Sequence, residues 1–116
     1  MSANAFAPQS QTSTQTANVS GSLPTPIQLP NALSTALICD TVLIWNSTST
    51  VVFLGWGATS ALATANAVIP TVGTSQQIIP LPGNTVQTFR MPAGSFVCGI
   101  TAAGTSAVYF LTGDGV

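Results

Sequence analysis

The sequence predicts an all-β protein, a small antiparallel β-sandwich or jelly-roll-like barrel with an extended N-terminal arm. Three observations carry the prediction. Short runs of β-branched and aromatic residues recur from residue 23 onward, as in Thr41-Val42-Leu43-Ile44-Trp45 and Val51-Val52-Phe53-Leu54. Gly, Pro and Asn clusters punctuate them at the spacing of a sandwich or barrel. Residues 2–22 are mainly Ala, Ser, Thr, Gln and Asn, and Phe6 is the only large apolar side chain before Val19.

Taken in order, residues 1–22 form the arm and residues 23–116 a single β-sandwich domain. The arm is too polar to offset its ordering entropy alone, so it is expected to be extended or disordered unless a neighbour orders it. At about 3.5 Å per residue it would reach roughly 70 Å, enough to cross an adjacent subunit. Phe6 followed by Pro8 suggests an anchor at its tip. Thr25-Pro26-Ile27-Gln28-Leu29 alternates, but its prolines confine it to an edge or an extended connection. Residues 41–45 and 51–54, joined by polar Asn46-Ser47-Thr48-Ser49-Thr50, read as a β-hairpin. Gly55-Trp56-Gly57 supplies two flexible positions at its end, and the Ala/Thr/Ser-rich residues 58–67 read as a loop. Ile78-Ile79 is a short strand before the turn Pro80-Leu81-Pro82-Gly83. Residues 85–91 form the next strand, and 96–101 with 106–112 form a C-terminal hairpin.

The strands are apolar on both faces. Val42 and Ile44 oppose Leu43 and Trp45; Val51 and Phe53 oppose Val52, Leu54 and Trp56; Tyr109 and Leu111 oppose Val108 and Phe110. A half-exposed antiparallel strand should alternate apolar with polar. One face therefore belongs to the core, and the other calls for a second layer or a partner subunit.

Composition narrows function. Asp40, Arg90 and Asp114 are the only charged residues, 3% of the chain against roughly 25% in an ordinary domain. There is no Lys, Glu or His, which removes most groups used for acid–base catalysis, metal binding and phosphate recognition. The expectation is no enzyme, no cofactor, no metal, no nucleic acid and no membrane partner. Asp40 and Asp114 suit turns, and Arg90 would pair with one of them or contact a neighbouring subunit. Neither Cys39 nor Cys98 has a histidine to activate it; each reads as a small core thiol, and a bond between them stays open. Asn18-Val19-Ser20 and Asn46-Ser47-Thr48 match the glycosylation sequon, as chance matches in a Ser/Thr-rich chain. No basic n-region opens the chain, so synthesis in a cytoplasm is expected.

Several segments resemble small virion structural proteins of tailed bacteriophages, of the capsid decoration or cement type. They are Met1-Ser2-Ala3-Asn4-Ala5-Phe6-Ala7-Pro8, Asp40-Thr41-Val42-Leu43-Ile44-Trp45-Asn46, Val51-Val52-Phe53-Leu54-Gly55-Trp56-Gly57, Pro80-Leu81-Pro82-Gly83-Asn84 and residues 98–116. The resemblance implies a β-sandwich or jelly-roll subunit that sits as a homo-oligomer on the shell against the major capsid protein. It implies a virion location, assembled in the host cytoplasm, and offers no catalytic residues to transfer. The candidate interface residues are Phe6, Pro8, Trp45, Phe53, Trp56 and Arg90. Removing residues 2–22 is expected to abolish shell binding and spare the fold. The alternatives are a tail, baseplate or fibre component, or a carbohydrate-binding β-sandwich whose Trp45 or Trp56 stacks on sugars.

Overall fold

A computed structural model describes residues 7–8, 12–19, 22–29, 41–73, 75, 77–92 and 94–114. The expectations for Phe6, Cys39, Asp40 and the Asp114 side chain lie outside the described residues. The strands are β1 (Ala7–Pro8), β2 (Ser13–Val19), β3 (Ile27–Gln28), β4 (Thr41–Asn46), β5 (Val52–Gly57), β6 (Ile78–Leu81), β7 (Thr85–Arg90), β8 (Phe96–Thr101) and β9 (Ser106–Asp114), with one helix, α1 (Ser60–Asn66).

The all-β expectation holds, and the pairing gives it a definite topology. A front sheet runs β2-β9-β4-β7 and a back sheet runs β3-β8-β5-β6. These pairs are antiparallel, and the interleaved order is that of a jelly roll. β1 extends the front sheet beside the end of β9. The last residues of β2 also pair in parallel with β8, Asn18 beside Ile100 and Val19 beside Thr101, which nearly closes the sandwich into a barrel. Between the sheets Val42, Ile44, Val52, Leu54, Leu81, Val97, Val108 and Phe110 are fully buried. Each contributes about 1.5–3 kcal/mol of transfer free energy for Val-, Leu-, Ile- or Phe-sized side chains.

The expected hairpins are not hairpins. β4 pairs with β7 and β9, and β5 with β6 and β8, so residues 47–51 carry the chain from one sheet to the other. β8 and β9 likewise share no ladder and lie in opposite sheets. A five-residue polar link fits a hairpin or a corner equally well by local chemistry. The corner wins here because both strands are apolar on both faces and each finds two partners.

Residues 13–19 also differ from the expected arm. β2 is extended, but it is a strand of the front sheet, with Gln15 and Ala17 buried and Thr14 and Thr16 exposed. The neighbour that orders it is its own domain. Its backbone pairs with β9 along residues 13–17, and the buried Gln15 completes the β8 side. There the Gln15 side-chain oxygen accepts from Gly99 N–H (2.8 Å), and its amide donates to Thr25 C=O (2.7 Å). This fills the stretch of β8 between its pairings with β3 and β2. A buried backbone donor without a partner would be costly, which explains a glutamine inside a sandwich.

The expected loop over 58–67 contains α1. Thr59 caps it, its hydroxyl accepting from Leu62 N–H (3.2 Å), and an Ala-rich run continues it. The helix lies on β5 at the two glycines read from sequence as flexible ends. A Cβ on Gly55 would stand 2.5 Å from Ala67 N, and one on Gly57 would stand 2.6 Å from Leu62 Cβ. Both glycines are inside the strand, where they let a helix approach.

Candidate functional site

The two sheets treat their outer faces differently. On the back sheet, outward-facing Phe53, Phe96, Cys98 and Ile100 pack with Ala63 of α1, with Ala67 at its C-cap and with Leu23. The molecule thus supplies the second layer for that face itself. Among the described residues no helix covers the front sheet.

The front face can be read row by row from the strand register. Thr14 on β2, Tyr109 on β9, Trp45 on β4 and Val86 on β7 are successive neighbours across the sheet. The next row places Leu111, Leu43 and Thr88 side by side. Trp45 stacks on Tyr109 with ring centroids 4.8 Å apart and planes 26° from parallel. Trp45 is 42% exposed and Val86 57%, while Leu43, Tyr109 and Leu111 are half-buried. Trp45, Tyr109, Val86, Leu43 and Leu111 therefore form one contiguous apolar strip. Directly opposed side chains lie about 4.5–5.5 Å apart at Cβ, so the strip is continuous across three strands. Beyond the second row lie buried Thr41 and Gly113, then exposed Arg90 at the end of β7.

The other candidate residues are dispersed. Pro8 is exposed on β1 opposite Gly113. Phe53 is half-buried and packs in the cluster beneath α1. Trp56 is half-buried against the core, and its edge lines a groove of about 140 Å³ with Ala58, Pro92, Gly94 and Ser95. The polar groups there are already engaged: Ser95 donates to Pro92 C=O (2.7 Å), and Gly94 C=O accepts from the Gln28 side chain (3.2 Å). The groove offers little for hydrogen-bonding a ligand. Of the five candidates among the described residues, Trp45 alone belongs to the apolar strip, with Arg90 at the margin of the same sheet.

Sequence reasoning missed Tyr109 and Val86 as companions of Trp45, because only the register of β4 with β7 and β9 brings them together. It also missed Asn46, which is fully buried. The Asn46 amide donates to Thr50 C=O (2.8 Å), Leu81 C=O (3.1 Å) and Pro82 C=O (3.3 Å). Its side-chain oxygen accepts from Ser106 Oγ (2.6 Å), which in turn accepts from Thr48 Oγ1 (2.6 Å). This one side chain joins the connections β4–β5, β6–β7 and β8–β9 at the end of the sandwich below Trp45. Its burial also leaves no room for a glycan at the Asn46 sequon.

Cys98 is a buried free thiol whose Sγ lies 3.5 Å from Pro24 C=O, and burial pushes its pKa up, away from thiolate chemistry. Among the described residues no three His, Cys, Asp or Glu side chains gather into a metal site, and no helix is long and apolar enough to cross a membrane. Comparison with protein-family models, curated proteins and solved structures finds no match.

Proposed function

We propose that this chain is a bacteriophage virion structural protein, a capsid decoration or cement subunit that acts by binding and not by catalysis. The observation that carries the proposal is the bare apolar strip on the front sheet of a chain with three charged residues. The equivalent face of the back sheet is covered by α1, whereas on the front sheet Trp45 and Val86 are exposed beside half-buried Tyr109. Contiguous exposed apolar surface of this kind marks an interaction site. A standard interface needs about 800 Å² from each partner, and aromatic anchors dominate its energetics. Subunits that bind only the assembled shell stabilise it by linkage. The resemblance to decoration proteins points the same way, and jelly rolls are frequent among viral shell proteins, which is support by analogy of fold.

The test is cosedimentation of the purified protein with tailed-phage capsids assembled without it. Binding that falls at least tenfold in Trp45→Ser and Val86→Ser, with near-native melting temperatures, supports the proposal. Binding to tails alone would move the protein to the tail or baseplate, and binding to neither particle overturns the virion role. One observation favours a second reading: Trp45 is an exposed tryptophan held in place by stacking on Tyr109, and exposed tryptophans of this kind pack on sugar rings. Specific glycan binding abolished by Trp45→Ser would select the carbohydrate-binding reading instead.

A further inference from the structure

The edges of the two sheets are not protected alike. On the back sheet, β3 is only two residues long and follows Pro26, while β6 contains Pro80, which cannot donate to a further strand. On the front sheet, β2 is engaged by β8 at its far end and by the Gln15 side chain along its flank. β7 is the exception. Thr85-Val86-Gln87-Thr88-Phe89-Arg90 is six residues long, with no proline, no lysine and no bulge in its six-residue register with β4. Among the described residues it pairs with β4 alone. About half of its backbone N–H and C=O groups therefore point away from the sheet, as in any edge strand.

We propose that two copies of this chain join by antiparallel pairing of β7 with β7 about a two-fold axis normal to the front sheet. The occupant of this edge is a second copy for three reasons. An antiparallel edge is self-complementary, so one two-fold operation satisfies both strands and closes the assembly. Net charge is only −1, so two copies meet almost no general repulsion. With the pairing centred at Gln87 or Thr88, the two Arg90 side chains stand roughly four to six residues apart along the joined strands, about 13–20 Å, beyond the screening length at physiological salt. The two-fold keeps both outer faces on one side. With the pairing centred at Gln87, Val86 of each copy faces Thr88 of the other. The Tyr109–Trp45–Val86 row of one copy then runs into the Thr88–Leu43–Leu111 row of the other, and the apolar strip extends across both copies.

This inference rests on the edge chemistry of β7 and not on the shell reading, so each can fail without the other. The experiment is light scattering coupled to size exclusion on the full chain, with hydrogen exchange of residues 85–90 followed against protein concentration. The expected mass is twice 11.7 kDa. Exchange in β7 should slow at least tenfold as the dimer fills. Thr88→Lys, at an exposed outward position near the axis, should return the mass to one chain while near-ultraviolet circular dichroism stays native. Leu62→Lys, on α1 and away from the edge, should stay dimeric. A wild-type mass of one chain overturns the proposal. So does an oligomer in which β7 exchange ignores concentration, or one that Thr88→Lys leaves intact with native spectra. A dimer that fails to cosediment with capsids would sink the shell reading and leave this one standing.

Discussion

Asn46→Asp changes one amide to a carboxylate of the same shape, at a fully buried site that meets three carbonyl oxygens. The wild-type amide donates to those carbonyls, and its oxygen takes the Ser106 hydroxyl. An ionised carboxylate keeps the Ser106 bond and loses every donation, leaving the buried Leu81 C=O without its Asn46 donor and a charge among carbonyl dipoles. A buried group left unsatisfied costs about 1–3 kcal/mol, and more beside a charge, so the total is about 3–5 kcal/mol. At about 2.1 cal/mol/K per residue, unfolding a 116-residue chain carries an entropy near 0.24 kcal/mol/K. The melting temperature should therefore fall by about 12–20 °C at pH 7.

The same variant should be pH-dependent with a defined sign. Burial raises the folded carboxyl above its unfolded pKa of about 3.9. The part of the penalty due to ionisation is then absent below that value, grows as pH rises above it, and levels off above the folded pKa. Scanning calorimetry at pH 3 and pH 7 on variant and wild type reads this directly. The wild type has only two aspartates to confuse the comparison. The gap in melting temperature should be several degrees smaller at pH 3, where the neutral acid can donate one hydrogen bond. A shift under 3 °C, or a gap that does not change with pH, would refute the assignment of Asn46 as the tie between the three connections.

Three further predictions follow from the packing. Gly55→Ala drives a methyl group into the Ala67 backbone, and should cost at least ~2–3 kcal/mol by thermal melt while undocking α1; a neutral result would mean that the helix does not sit on β5. Removing residues 2–22 takes β2 out of the front sheet and should abolish the cooperative melt, and Gln15→Leu alone should lower stability by about 1–3 kcal/mol through the orphaned Gly99 N–H. Cys98 has a raised folded pKa, so its stabilising effect is complete below the unfolded thiol pKa of about 8.5 and is lost as pH climbs from there toward the folded value. The melting temperature should fall with pH over that window, and more steeply in wild type than in Cys98→Ala.

Local chemistry made the strands and their faces legible: β4, β5 and β9 carry their alternation in Val42/Ile44, Val52/Leu54 and Val108/Phe110, all of them buried. What it left open was partnership. The choice between a hairpin and a corner at residues 47–51 depends on β7, β8 and β9, which lie 30 or more residues downstream. β2 was hidden because its apolar content is only Ala17 and Val19; the alternation of Thr14 and Thr16 with buried Gln15 and Ala17 was the available signal. α1 was hidden by its shortness, although Thr59 ahead of an Ala-rich run has the chemistry of a helix start. Trp45 was legible as a candidate from its type, whereas its partners Tyr109 and Val86 needed the register. Phe53 and Trp45 look alike in sequence, and only the placement of α1 separates them into a packed side chain and an outer one.

The central claim is that the Trp45 strip is covered in the assembled state. Acrylamide quenching of a Trp56→Phe variant, which leaves Trp45 as the only tryptophan, measures this directly. The claim predicts ready quenching in the dilute free chain and a severalfold drop when the chain is mixed with tailed-phage capsids assembled without it. Equal quenching in the free chain and on the particle would contradict it.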